Sequence, residues 1–132
     1  MRLEGLLGVY GMDFKSLEKY IANRIDDLTT LDVHNSKLPI DDDYPCVIFN
    51  LGSSSNSVRL RDDYILTLDY WSNSEDSQTI SAQAELVKTG LNYYWQSETE
   101  GFYQSHIIFM GRIPDIKPNT RRIQQRYLLK VR

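Results

Sequence analysis

Period-two alternation from Val58 to Tyr70, closing on Trp71 and Ser72, constrains this chain more than any other feature. Val58, Leu60, Tyr64, Leu66, Leu68 and Tyr70 share one parity and are apolar, interrupted only by Asp62. Arg59, Arg61, Asp63, Thr67 and Asp69 hold the other parity. Successive strand side chains point to opposite faces, so alternation sustained this long predicts a strand with one face on a core. Ile65 and Trp71 break the polar parity, which predicts that the second face is partly covered too.

The layer that covers such a strand is also visible. Asp13 is placed to cap a helix, and Phe14, Leu17, Ile21, Ile25 and Leu28 follow at helical spacing as one apolar stripe. Lys15, Glu18, Lys19, Asn23 and Asp26 fall on the opposite, solvated side. A second helix is expected after Asp76 or Ser77, with Ile80, Ala84, Val87, Leu91 and Tyr94 on its stripe. Gly90 inside it costs about 1 kcal/mol relative to alanine, which suggests close approach to a neighbouring element.

Three further strands are expected. An apolar run from Tyr44 to Leu51 precedes the long strand, with Ser53 to Asn56 as the turn between them. His106 to Met110 is a second apolar run. Ile123, Tyr127, Leu129 and Val131 alternate with Arg122, Gln124, Arg126, Lys130 and Arg132. Residues 29–44, with Pro39, read as loop. Residues 112–121 carry Pro114 and Pro118 and are too long and stiff for a tight hairpin. The expected order is α-β-β-α-β-β. It describes an α+β fold: an antiparallel or mixed sheet of about four strands, with two helices packed on one face. Residues 13–132 are expected to form one domain, and residues 1–12 to be a flexible leader, an upstream start ahead of Met12, or an expression remnant.

At 132 residues the chain has room for one sizeable core. No apolar run approaches the roughly 20 residues a membrane helix needs. A single cysteine rules out an internal disulfide, and Cys46 lies in an apolar run, where a buried inert thiol is expected. His34 and His106 are far apart and lack metal-ligand spacing. Asp41, Asp42 and Asp43 cannot all reach one ion from a regular element and read as a solvated turn, as do Glu98 and Glu100. With no phosphate-binding glycine loop and no nucleophile elbow, the expectation is a protein that is not an enzyme. No catalytic residue, cofactor or metal is assigned.

Charge is unevenly placed. Residues 111–132 carry seven basic groups against Asp115 alone, or +6, whereas residues 1–110 carry −9. Lys117, Arg121, Arg122, Arg126 and Lys130, together with Asp41, Asp42 and Asp43, are therefore candidate contacts to a neighbouring subunit or partner. The net acidity, and the lack of aromatic interleaving on the basic face of that strand, favour a protein partner over nucleic acid.

Pro45-Cys46-Val47-Ile48-Phe49, then Asp63-Tyr64-Ile65-Leu66-Thr67-Leu68-Asp69-Tyr70-Trp71-Ser72, a helix and two closing strands, resemble the tail completion proteins of long-tailed bacteriophages. These are also called tail terminators or tail-to-head joining proteins. The resemblance spans Met12 to Arg132. It implies a structural subunit forming a ring, expected to be a hexamer, that stops polymerisation of the tail tube and docks the head connector. Implied partners are other copies of itself, the tail tube protein and a head-completion or connector protein, with no membrane and no sequence-specific nucleic acid. The implied location is the head–tail junction of the virion, reached from the host cytoplasm during assembly. A small nucleic-acid-binding module using the basic C-terminal strand is the alternative.

Overall fold

The computed structural model describes residues 13–37, 44–52, 62–73, 78–98, 101–114 and 120–131. Among these residues eight elements run in the order α1 (Phe14–Leu28), β1 (Asp32–Asn35), β2 (Cys46–Gly52), β3 (Asp62–Ser72), α2 (Gln78–Leu91), β4 (Tyr94–Glu98), β5 (Gly101–Arg112) and β6 (Arg121–Val131). The strands form one sheet in the order β1-β2-β3-β6-β5-β4. β1 runs parallel to β2 and every other pair is antiparallel, so the sheet is mixed.

α1 starts where Asp13 accepts a 2.7 Å hydrogen bond from the Ser16 N–H, which also holds the Asp13 carboxyl below the usual carboxylate range. Leu17, Ile21 and Ile25 are wholly buried, while Phe14 stays exposed at the open end of the stripe, its ring 5.8 Å from that of Tyr64. Thr29 ends the helix. Its hydroxyl and the Thr30 N–H both donate to Gln83 Oε1, at 2.6 and 3.1 Å, which ties the end of α1 to α2. The helices also meet at Gly90. A Cβ there would overlap the Leu28 side chain, and the Gly90 carbonyl accepts 2.8 Å from Arg24 Nη2.

Sequence parity predicts the core face of the sheet well. Leu66, Leu68 and Tyr70 on β3, Ile123, Tyr127 and Leu129 on β6, and Val47 and Phe49 on β2 pack in one cluster with both helices. Gln125 shares this parity and is wholly buried. Its Oε1 accepts from the hydroxyls of Tyr70 (2.6 Å) and Tyr127 (2.9 Å), and its Nε2 donates to the Ala84 carbonyl on α2 (2.9 Å). Burial, followed by the adjacent Tyr127, pushes the Tyr70 hydroxyl well above the usual tyrosine value. Burial, followed by the Glu85 charge, does the same to Tyr127. Burying a side chain unpaired would cost several kcal/mol, so this amide knits β3, β6 and α2 together without leaving a polar atom stranded.

The expected sheet of about four strands is corrected to six. Within residues 29–44, read as loop, Asp32–Asn35 forms an edge strand with Val33 opposite Val47 and Asn35 opposite Phe49. Tyr94 does not continue the second helix but opens β4, opposite Ser105. The helix stops because Tyr93 takes a left-handed φ of 59° and the next groups find partners elsewhere. Ser105 Oγ donates to the Leu91 carbonyl at 2.6 Å, and Asn92 Oδ1 accepts from the Ile107 N–H at 2.9 Å. The expected strand at His106–Met110 extends to Gly101–Arg112, with a β-bulge between Ile107 and Phe109. The order observed among the described residues is therefore α-β-β-β-α-β-β-β. Val58, Leu60, Ser53–Asn56, Asp76, Ser77 and residues 1–12 lie outside the described residues.

Candidate interface on the second face of the sheet

Both helices cover one face, and the other carries no helix among the described residues. Side chains there come from the second parity: Cys46 and Ile48 on β2, Thr67, Asp69 and Trp71 on β3, Arg122, Gln124 and Arg126 on β6. Part of this face is closed. Cys46 and Ile48 are buried, Asp69 and Gln124 are each 7% exposed, and Ile65 and Trp71 are half-buried. The covering predicted from Ile65 and Trp71 is present.

Register builds a charged ladder across the sheet centre. Asp69 stands opposite Gln124, and Trp71 opposite Arg122. Asp69 Oδ1 accepts from Arg122 Nε at 2.9 Å and from Gln124 Nε2 at 3.0 Å. The Arg122 guanidinium also lies 4.9 Å from the centre of the Trp71 ring. Next along β6, Arg126 Nε donates to Gln124 Oε1 at 3.0 Å and its guanidinium lies 5.0 Å over the Phe109 ring. With Asp69 largely removed from water, two donors on one oxygen repay part of its desolvation.

This geometry sorts the candidate residues. Arg122, Arg126 and Lys130 do share one face, as their spacing predicts. Arg122 is committed to Asp69, and Arg126 is exposed, with its guanidinium carbon 5.0 Å from the centre of the Phe109 ring. Lys130 is half-buried between Asp63 and Gln104 in register. Arg121 has the opposite parity; it is exposed at the start of β6, with Nη1 3.4 Å from the Thr120 carbonyl. Lys117, Asp41, Asp42 and Asp43, and the side chains of Glu98 and Glu100, lie outside the described residues. The histidines are not brought together: His34 is on β1, and His106 is on β5 beyond β2, β3 and β6. The His106 ring instead stacks on Tyr93, 6.4 Å away at 18°. Among the described residues no group of three His, Cys, Asp or Glu side chains converges on a metal-sized site.

Sequence reasoning missed Asp69, Gln124 and Phe109 as partners of the basic strand. The parity of Asp69 and Gln124 marked their face, but which residue stood opposite which depended on the pairing of β3 with β6, sequence-distant strands whose register no local pattern reveals.

No protein-family model and no curated protein matches this chain. Among solved structures, a chain described as "Virion of native gene transfer agent (GTA) particle" has a similar fold, with a TM-score of 0.63. The superposition covers 81% of this chain and 83% of that one at 14% sequence identity, a likeness of fold.

Proposed function

We propose that this chain is a structural protein of a phage-type virion and, more specifically, a tail completion subunit. In this reading it forms a ring on the end of the tail tube, halts tube growth and supplies the face that joins tail to head. It works by assembly, not by catalysis. The observation that carries the reading is the fold shared with a virion chain over four-fifths of both chains. The motif resemblance at residues 45–49 and 63–72 points the same way.

The ladder on β6 bears on the nucleic-acid alternative. Phosphate binding by a basic strand draws on cations free to displace counterions. Here Arg122 is spent on Asp69 and Arg126 is laid against Phe109. That disfavours the β6 row as a phosphate track and leaves protein assembly the stronger reading.

Deletion of the gene from its own particle tests the proposal. Electron microscopy should show tail tubes of uncontrolled length and heads without tails, both corrected by the gene supplied in trans. Deletion particles with tails of normal length joined to heads would refute it.

A further inference from the structure

Large apolar side chains are exposed together at one edge of the sheet. Tyr93 is 82% exposed, Trp95 64%, Ile108 51% and Phe109 38%. They gather where β4 stops short of β5: Tyr94 pairs with Ser105, so residues 106–112 of β5 have no strand alongside on that side among the described residues. The Asn92 side chain reaches this stretch through the Ile107 N–H, and the Tyr93 ring stacks on His106 at its start. The bulge at Ile108 adds twist at that edge. Phe109 is held in place, since its ring lies over Gly111, where a Cβ would come within 3.1 Å of it, and beneath Arg126. Arg112 and Arg126, both exposed, make the edge cationic.

The opposite edge offers the complement. Between α1 and the β1–β2 pair lies an open groove of about 380 Å³. Ala22, Val33 and Phe49 line it, with Glu18 and Asp26 on its rim against Lys19 alone. The two features sit at opposite ends of a six-stranded sheet. At about 4.8 Å per strand the middles of the β1–β2 and β4–β5 pairs are about 19 Å apart, too far to meet within one molecule. A contact between two different patches, repeated from copy to copy, closes a ring when its rotation permits.

We propose that copies of this chain associate head to tail, the aromatic, arginine-flanked β4–β5 edge of one copy seating in the acidic-rimmed α1–β1 groove of the next. This rests on the reading of the chain as a ring subunit and names the surfaces that make the ring. Aromatic side chains supply the buried area and charge of opposite sign sets the orientation.

Two variants test it, each altering exposed positions so that the fold is kept. Trp95→Glu with Ile108→Glu blocks the edge, and Asn23→Arg with Asp26→Arg blocks the groove. Circular dichroism and thermal midpoint confirm that each folds. In sedimentation velocity the wild-type chain should form closed oligomers, and each variant alone should be monomeric. An equimolar mixture of the two should give dimers and nothing larger, because only one edge and one groove remain intact. Wild-type oligomers unchanged by either variant would keep the ring and overturn this contact. Monomeric variants that fail to dimerise when mixed would overturn the pairing of edge with groove. A wild-type chain monomeric at millimolar concentration would overturn the self-association, while the tail-completion reading is judged separately by tube length in deletion particles.

Discussion

Gln125→Leu isolates what the buried amide contributes. In the native chain Gln125 Oε1 serves two tyrosine hydroxyls, at 2.6 and 2.9 Å, and all three side chains are wholly buried. Leucine fills the space and strands both hydroxyls. A buried donor left without an acceptor costs about 1–3 kcal/mol, which gives about 2–6 kcal/mol for the pair. Tyr70→Phe, in contrast, removes one hydrogen bond and strands nothing, because Oε1 keeps Tyr127; its cost should be about 0.5–1.5 kcal/mol. Combining Gln125→Leu with Tyr70→Phe and Tyr127→Phe removes the stranded hydroxyls, and the triple variant should recover much of the loss. The Ala84 carbonyl stays satisfied within α2, as helical geometry provides. Urea denaturation followed by fluorescence of Trp71 and Trp95, at constant m-value, measures each difference. A triple variant less stable than Gln125→Leu alone would show that the tyrosines contribute independently and that the network argument is wrong.

The raised tyrosine pKa values set the direction of an alkaline transition. Folded Tyr70 and Tyr127 hold their protons above the unfolded value near 10, so stability is fully present below about pH 10 and is lost as pH rises beyond it. Tyrosinate absorbance should rise together with loss of circular dichroism, and Tyr70→Phe should weaken that pH dependence. Gly90→Ala crowds Leu28, an overpacking cost of about 1–3 kcal/mol offset by about 1 kcal/mol of helix propensity, so a net loss of about 0–2 kcal/mol is expected in thermal unfolding. Arg122→Met leaves Asp69 with Gln124 alone; breaking a fully buried pair costs about 3–5 kcal/mol, and partial exposure of Arg122 reduces this to about 1–3 kcal/mol by urea denaturation.

Strong local periodicity made much of this fold legible in the sequence. The α1 stripe from Leu17 to Leu28, the β3 parity from Tyr64 to Tyr70 and the β6 alternation each put the expected side chains in the core or packed against it, while Phe14 at the start of the α1 stripe stays exposed. β1 is four residues long and carries one aliphatic side chain, Val33, so no alternation could announce it. β4 was hidden because Tyr94 stands three residues after Leu91, a spacing that continues the helical stripe. The real stop is the left-handed backbone at Tyr93, a residue type that gives no warning of positive φ. The basic strand was legible as a face, but its charge balance was not, since Asp69 meets Arg122 only through long-range register. Gln125 occupies a core parity that polarity alone would assign to solvent, and two tyrosines from different strands make it a core residue.

β6 sits between β3 and β5 yet is the last of the described strands in chain order. Asp62 on β3 meets Val131 across 69 positions, so the middle of the sheet cannot close until almost all of these residues have left the ribosome. Until then the apolar rows of β3 and β5 have no neighbour between them, and two nascent chains on one message could pair there in error. Closing so long a loop delays the reward of strand pairing, which places this domain among slow folders for its size. A chain of this topology made in many copies at once would thus depend, during synthesis, on whatever shields those rows until residues 121–131 arrive.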